Sequence, residues 1–164
     1  MSMLEARVEG LALDMSTNTP VVILAPFESN KVLPIWIGHS EAWGIAMELS
    51  GIQSNRPMTY DLIKLIITSL QANVEKVEIT ELREQTFYAK IYLRVNDEVQ
   101  TIDARPSDSI AVALKTNAKI FISDALLNIS KEESQKENQM PTDPESLRER
   151  LRKVDPEDFG KYSL

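Results

Sequence analysis

At 164 residues the chain is long enough for one domain with a substantial core, and 43% apolar with 26% charged residues is the composition of a soluble globular protein. It has no cysteine, which excludes disulfides, a thiolate nucleophile and a cysteine zinc site, and its single histidine, His39, excludes any centre needing two imidazoles. The net charge is −7, with 16 acidic against 11 basic residues up to residue 129 and 9 against 7 beyond, which excludes tight nucleic-acid binding through a broad basic field.

The first ten residues carry two acids, no basic region and no long apolar run. No signal peptide is therefore expected, no membrane-spanning segment is expected, and the expected location is cytoplasmic. Leu4, Ala6 and Val8 alternate with Glu5, Arg7 and Glu9, which predicts a half-buried strand, and the phase slip to Leu11 and Leu13 predicts a bulge at Gly10. Residues 20–26 and 31–37 are short apolar runs around a turn at Glu28-Ser29-Asn30 and predict a hairpin, with Pro34 marking an edge or an irregularity. Ser40 can cap a helix that runs to Ser50 and stops at Gly51.

A second helix is predicted from about Thr59 to Ala72, with Leu62, Leu65, Ile66 and Leu70 on one stripe. Three strands follow, near 74–82, 86–95 and 98–104, then a helix at 107–116, a short strand at 120–122 and a short helix at 124–128. The absence of regular βαβ alternation predicts a single compact α+β domain over residues 1–129. It should hold a mixed, largely antiparallel sheet of about six to seven strands and three main helices. Residues 130–164 read as a flexible charged linker, up to Pro144, and a tail with a short helix at 145–153 and a docking motif at 155–162.

If Asn96-Asp97 is a two-residue turn, Val95 pairs with Glu98, Lys90 lies opposite Asp103 and Ile91 opposite Ile102. Asp103 then projects with Lys90, Tyr88 and Tyr92, either as an ordinary cross-strand ion pair or as part of a site. That partly aromatic, partly charged face has the makeup of an interface, so a homodimer is expected that buries it or extends the sheet at an edge.

The segment from Asp103 to Ala111 places two carboxylates, a guanidinium and a hydroxyl where a strand hands over to a helix. Pro106 ends the strand, Ser107 is placed as N-cap, and Asp108 falls in the first turn, where the helix dipole favours negative charge. Capping accounts for Ser107 and Asp108 but leaves Asp103 and Arg105 unexplained.

Several segments together resemble the bifunctional nuclease domain family. They are Leu33-Pro34-Ile35-Trp36-Ile37-Gly38 with Glu41-Ala42, then Arg56-Pro57-Met58-Thr59-Tyr60-Asp61-Leu62, Phe87-Tyr88-Ala89, the 103–111 segment, and Pro156 to Tyr162. The resemblance spans residues 1 to about 128, with the tail echoing it. It implies a compact α+β fold, an oligomer that is a dimer, and degradation of both RNA and DNA. It brings no particular catalytic set. The family pattern commonly has His at the position of Tyr60, which weakens any mechanism using that imidazole as general base.

Phosphodiester hydrolysis needs carboxylates for a divalent cation, a group that activates water, and cationic or dipolar donors facing the phosphate. Asp61, Asp103, Asp108 and Glu41 are the available oxygen ligands, with Asp103, Asp108 and Glu41 the expected holders of Mg²⁺, Mn²⁺ or Ca²⁺. Arg56 and Arg105 are natural phosphate forks, and Thr59, Ser107 and Lys90 are candidate substrate contacts. The expected catalytic set is Arg56, Asp61, Asp103, Arg105 and Asp108. His39 could be a base, but it precedes a helix cap, and Trp36 and Trp43 have the apolar neighbours of core residues. Two readings follow: a low-specificity, metal-dependent nuclease acting on RNA and DNA, or a non-enzymatic anion- or protein-binding module with a regulatory tail. What separates them is whether the candidate residues converge on one cleft.

Overall fold

The computed structural model describes residues 2–128 and 143–153. In chain order the elements are strands β1 (Met3–Asp14), β2 (Thr19–Pro26) and β3 (Leu33–Trp36), helices α1 (His39–Leu49) and α2 (Thr59–Ser69), strands β4 (Ala72–Arg83), β5 (Thr86–Val95) and β6 (Glu98–Ala104), helix α3 (Pro106–Thr116) and strand β7 (Lys119–Ser123). A 3₁₀ turn at Asp124–Asn128 follows, then α4 (Pro144–Arg150) and β8 (Leu151–Lys153). All strands join one mixed sheet in the order β3-β2-β1-β7-β4-β5-β6, with β8 paired to the distal half of β1. Every pairing is antiparallel except β4 with β7, so the chain is a single α+β domain around a largely antiparallel sheet.

Local sequence explains the details. The β1–β2 register shifts between Val8 and Gly10, so the bulge lies where the apolar phase slips. Pro34 sits in the four-residue edge strand β3, where a missing N–H costs least. Val95 pairs with Glu98, Lys90 with Asp103 and Ile91 with Ile102, and Asn96 takes φ +56°, which asparagine tolerates in turns.

Helices α1, α2 and α3 share one face of the sheet, with α3 at the centre. Ile110, Ala111, Val112 and Ala113 of α3 join Val77, Ile79, Ile91 and Ile122 of the sheet and Ala42 and Ile45 of α1 in the main core. On the opposite face Leu147 of α4 closes a smaller core with Val21, Ala25 and Val32. Part of the tail is therefore packed structure, while residues 130–142, most of the expected linker, and 155–162, the expected docking motif, lie outside the described residues.

Two helix starts differ from expectation. Arg105 is the N-cap of α3 and Pro106 occupies the first turn, where its fixed φ and missing N–H are best accommodated. Ser107 thereby falls inside the helix and is buried, 6% exposed. Gly38, in place of Ser40, is the N-cap of α1, and the Glu41 carboxylate lies over it. A Cβ at Gly38 would stand 2.2 Å from Glu41 Oε2. Helix α2 ends at Ser69, short of the expected Ala72, which opens β4. It has no buried residue, and Leu62, Leu65, Ile66 and Leu70 are 50–68% exposed.

Candidate functional site

The first turns of α1, α2 and α3 meet at one end of a cleft of about 940 Å³. Ser40, Glu41 and Gly44 come from α1, Met58, Thr59 and Tyr60 from the start of α2, and Arg105 and Asp108 from α3. The rest of the wall is aliphatic, from Ile63, Ile66 and Leu70 of α2 and from Ile91, Leu93 and Ile102 of β5 and β6.

The polar end is one connected group. Arg105 Nε donates to Asp108 Oδ2 at 2.9 Å, and its Nη2 donates to Glu41 Oε1 at 2.9 Å and to Asp108 Oδ1 at 3.2 Å. Tyr60 Oη donates to Asp108 Oδ1 at 2.9 Å. Both oxygens of Asp108 are thus engaged. The Arg105 side chain is 65% exposed, and with Nε and both Nη2 protons given to Asp108 and Glu41 only Nη1 is left to meet an incoming anion, through one nitrogen and not through a two-nitrogen fork. Hydrogen bonding to Asp108, and then to Glu41, raises the Arg105 guanidinium further above its already high ordinary pKa. Burial, reinforced by the bond to Asp108, pushes the Tyr60 phenol well above its ordinary value, so Tyr60 stays a proton donor and cannot serve as a base.

Gly44 makes this arrangement sterically feasible. A Cβ there would stand 2.8 Å from the Tyr60 ring, so only glycine lets α2 lay the tyrosine across α1 toward Asp108.

The structure brings together Glu41, Arg105 and Asp108 of the expected residues, with Thr59 in the cleft wall. Ser107 adjoins them but is buried. Asp103 and Lys90 are cross-strand neighbours, and alternation along β6 and β5 puts both on the sheet face opposite Ile102 and Ile91, away from the cleft. Arg56 is exposed in the loop before α2, where its carbonyl accepts a bond from Ser54. Among the described residues no group of three or more His, Asp or Glu side chains is placed to hold a metal ion. The acidic donors at the cleft are Glu41 and Asp108 alone, and both are already paired to Arg105. Of the aromatic candidates, Trp43 packs beside the main core and lines the cleft, whereas Trp36 donates to Asp14 on the far side.

Asp61 has a separate job. It accepts the Met58 N–H at the start of α2 and pairs with Lys115 at 2.6 Å, while Lys115 also pairs with Glu48 at 2.7 Å. This triad ties α1, α2 and α3 together. Partial burial raises the Asp61 pKa, but Lys115 and the Met58 N–H outweigh it and hold Asp61 below its ordinary value. Burial likewise lowers Lys115, but its two carboxylates outweigh that and hold it above its ordinary value. The Asp61 contribution to stability is therefore full above 3.8 and lost as pH falls through its lowered folded value. The Lys115 contribution is full below 10.5 and lost as pH rises through its raised folded value. Lys115→Met should cost about 2 kcal/mol at neutral pH, because it leaves two half-buried carboxylates facing each other. Thermal melts should show the deficit shrinking below about pH 4 as those carboxylates protonate. A deficit that is constant with pH would mean the triad contributes through packing alone.

A family model for the bifunctional nuclease domain matches residues 22–135. An uncharacterized protein of Mycobacterium tuberculosis is 38% identical over 162 residues, covering 94% of this chain and 97% of its own. Bifunctional nuclease 1 of Oryza sativa subsp. japonica is 27% identical and bifunctional nuclease 2 of Arabidopsis thaliana 26% identical, each over 112 residues. The match covers 66% of this chain but only 34% of either plant protein. No helix among the described residues is long and apolar enough to cross a membrane. With the family model covering the whole sheet-and-helix core from β2 onward, and the mycobacterial relative aligned almost end to end, the chain belongs to the bifunctional nuclease domain family.

Proposed function

We propose that the cleft end formed by Glu41, Tyr60, Arg105 and Asp108 hydrolyses phosphodiester bonds in RNA and DNA with low sequence specificity. The observation that carries this reading is the convergence of three helix N-termini on one exposed guanidinium whose Nη1 lies outside its bonds to Asp108 and Glu41. Each terminus supplies roughly half a positive charge, which together with Arg105 offsets the two carboxylates and leaves a place where a phosphate is tolerated in an acidic protein. The plant relatives that share this domain carry nuclease names, which supports the same chemistry.

Each residue has a distinct part. Arg105 binds phosphate oxygens and neutralises charge developing on them. Asp108 holds Arg105 in place, and Tyr60 holds Asp108. Glu41 has one oxygen outside the Arg105 bond and is the group placed to take a proton from water. Cation dependence belongs to the proposal too. Two carboxylates already paired to Arg105 do not cage a metal; the Glu41 oxygen outside that pair is what is left to join substrate phosphates and water around a Mg²⁺ ion, which commonly keeps several waters and takes one or two carboxylates. Such an ion would supply further charge neutralisation at the phosphate.

The test is incubation of the purified chain with labelled single-stranded RNA and DNA, in Mg²⁺, Mn²⁺ or Ca²⁺ and in chelator. Cleavage above that of an Arg105→Ala, Asp108→Asn double variant is expected, and its loss in chelator would support the cation. Cleavage no greater than the variant's would leave the binding-module reading, which the aliphatic wall of the cleft favours. A second copy of the chain is the other partner this reading calls for.

A further inference from the structure

Phosphodiester chemistry uses only one end of the cleft. The charged residues that line it, Glu41, Arg105 and Asp108, all stand at that end. From there the walls are hydrocarbon. One is a single face of α2, running from Tyr60 through Ile63 and Ile67 to Leu70 at helical spacing. The other is the matching face of β5, with Ile91, Leu93 and Val95 at alternate positions.

The two walls give one length. The eleven residues Thr59–Ser69 of α2 extend about 16 Å at about 1.5 Å per residue. Ile91 to Val95 covers about 14 Å at about 3.4 Å per residue. An extended alkyl chain, with C–C bonds of about 1.5 Å at near-tetrahedral angles, advances about 1.25 Å per carbon, so about 12 carbons span the wall. The domain leaves this wall uncovered: no residue of α2 is buried, and Ile66, Leu70 and Ile102 are 50%, 68% and 44% exposed. The volume of about 940 Å³ lies within the range of about 300–1,000 Å³ usual for small-molecule sites.

Charge selects the head group. Arg105 with Glu41 and Asp108 sums to about −1, and the first turns of α1, α2 and α3 add roughly +0.5 each, which leaves this end at roughly +0.5. A single negative charge is matched there, whereas a phosphate monoester at about −1.5 to −2 overshoots. Arg105 Nη1, outside the bonds to Asp108 and Glu41, suits one carboxylate oxygen, and the Ser40 and Thr59 hydroxyls at the same end can donate to the other.

From this we infer that the cleft binds one long-chain carboxylate, a fatty-acid anion of about 12 carbons, with its head on Arg105 Nη1 and its chain laid along α2 toward Leu70. The site reaches well beyond the proposed hydrolytic end and does not rest on that function.

Trp43 lines the cleft and Trp36 lies on the far side, so a change in tryptophan emission reports occupancy. Sodium dodecanoate titrated into the full chain below its micelle concentration, with calorimetry for stoichiometry, should saturate at one molecule per chain and shift the emission to the blue. Octanoate, four methylenes shorter, should bind about a hundredfold weaker. Dodecan-1-ol, which lacks the charge, should bind about tenfold weaker. Arg105→Gln and Ile66→Glu should each weaken dodecanoate about tenfold or more, the first by removing the cation and the second by placing a like charge in the apolar wall. Leu65→Glu, on exposed helix surface outside the cleft lining, should bind as the parent does. Native circular dichroism is the check on each variant, and the exposed Arg105 keeps the test open should Ile66→Glu fail to fold.

No saturable uptake would overturn the inference, as would binding that Arg105→Gln and Ile66→Glu both leave unchanged or that Leu65→Glu also abolishes. So would a dimer in sedimentation that takes up no dodecanoate, since a second copy would then be the occupant. These measurements contain no nucleic acid, so they stand apart from hydrolysis. If the polar end also cleaves phosphodiesters, dodecanoate at about ten times its Kd should suppress cleavage about tenfold. Uptake without suppression would keep the carboxylate site and count against the hydrolytic reading alone.

Discussion

Arg105→Gln is expected to lower the cleavage rate on single-stranded RNA and DNA by about 10²- to 10³-fold, the usual cost of removing one preorganised donor from a developing anion. Its stability should barely change, because the side chain is 65% exposed and its ion pairs are screened by water. Asp108→Asn should fall in the same range, since it releases Arg105 and leaves Tyr60 facing an amide. Tyr60→Phe should cost only about tenfold, through one lost positioning bond to Asp108. Asp103→Ala provides the internal contrast. It lies on the sheet face away from the cleft and should stay within about twofold of the parent, as for other changes remote from the reacting groups. Neither Arg105 nor Tyr60 loses its proton near neutrality, since both are held above their ordinary values, so neither should cause a rate change between pH 7 and 9. Single-turnover rates for these four variants decide the matter. An Asp103→Ala loss equal to that of Asp108→Asn would move the reaction to the other face.

How legible this was depended on how local each cause was. The β5–β6 register follows from one turn and the period of a strand, so the partners of Asp103 and Ile102 could be counted off the sequence. The bulge beside Gly10 and the edge position of Pro34 are likewise consequences of single residues. The exposure of α2 was not legible, because periodicity shows which positions are apolar without showing what covers them. The site itself was half visible. Arg105 and Asp108 lie three residues apart, and their pairing is a local event at a helix start. The Tyr60–Asp108 bond spans 48 residues, and the bridge from Arg105 to Glu41 spans 64. Such links are set by how the helices pack. One signal for Tyr60 was present: a glycine within α1, Gly44, which weakens a helix unless another group must approach closely. Nothing near Asp61 in the sequence announced that Lys115 would be its partner.

Ile122→Ala should be among the most destabilising single truncations in the domain, at about 3–4 kcal/mol, within the range for burying a cavity where a β-branched side chain stood. Ile122 is fully buried in β7, the strand that joins β1 on one side to β4 on the other. Its neighbours Leu4 and Ile79 come from those two strands, and the helices close over them, so the hole cannot collapse without disturbing the one parallel pairing among the described strands. For a chain of this length each kcal/mol moves the melting temperature by about 2–4 °C, so a fall on the order of 6–16 °C is expected. Met15→Ala, in the turn after β1 and 60% exposed, should by the same measure stay within about 0.5 kcal/mol of the parent. The site should feel the Ile122 change as well, because α3 carries both Asp108 and the Ile110–Ala113 run that packs on this part of the sheet. Reduced activity of Ile122→Ala well below its melting temperature would show that the central strand holds the Arg105–Asp108 pair in register. Unchanged activity there would mean that the helix starts are fixed by their own contacts alone.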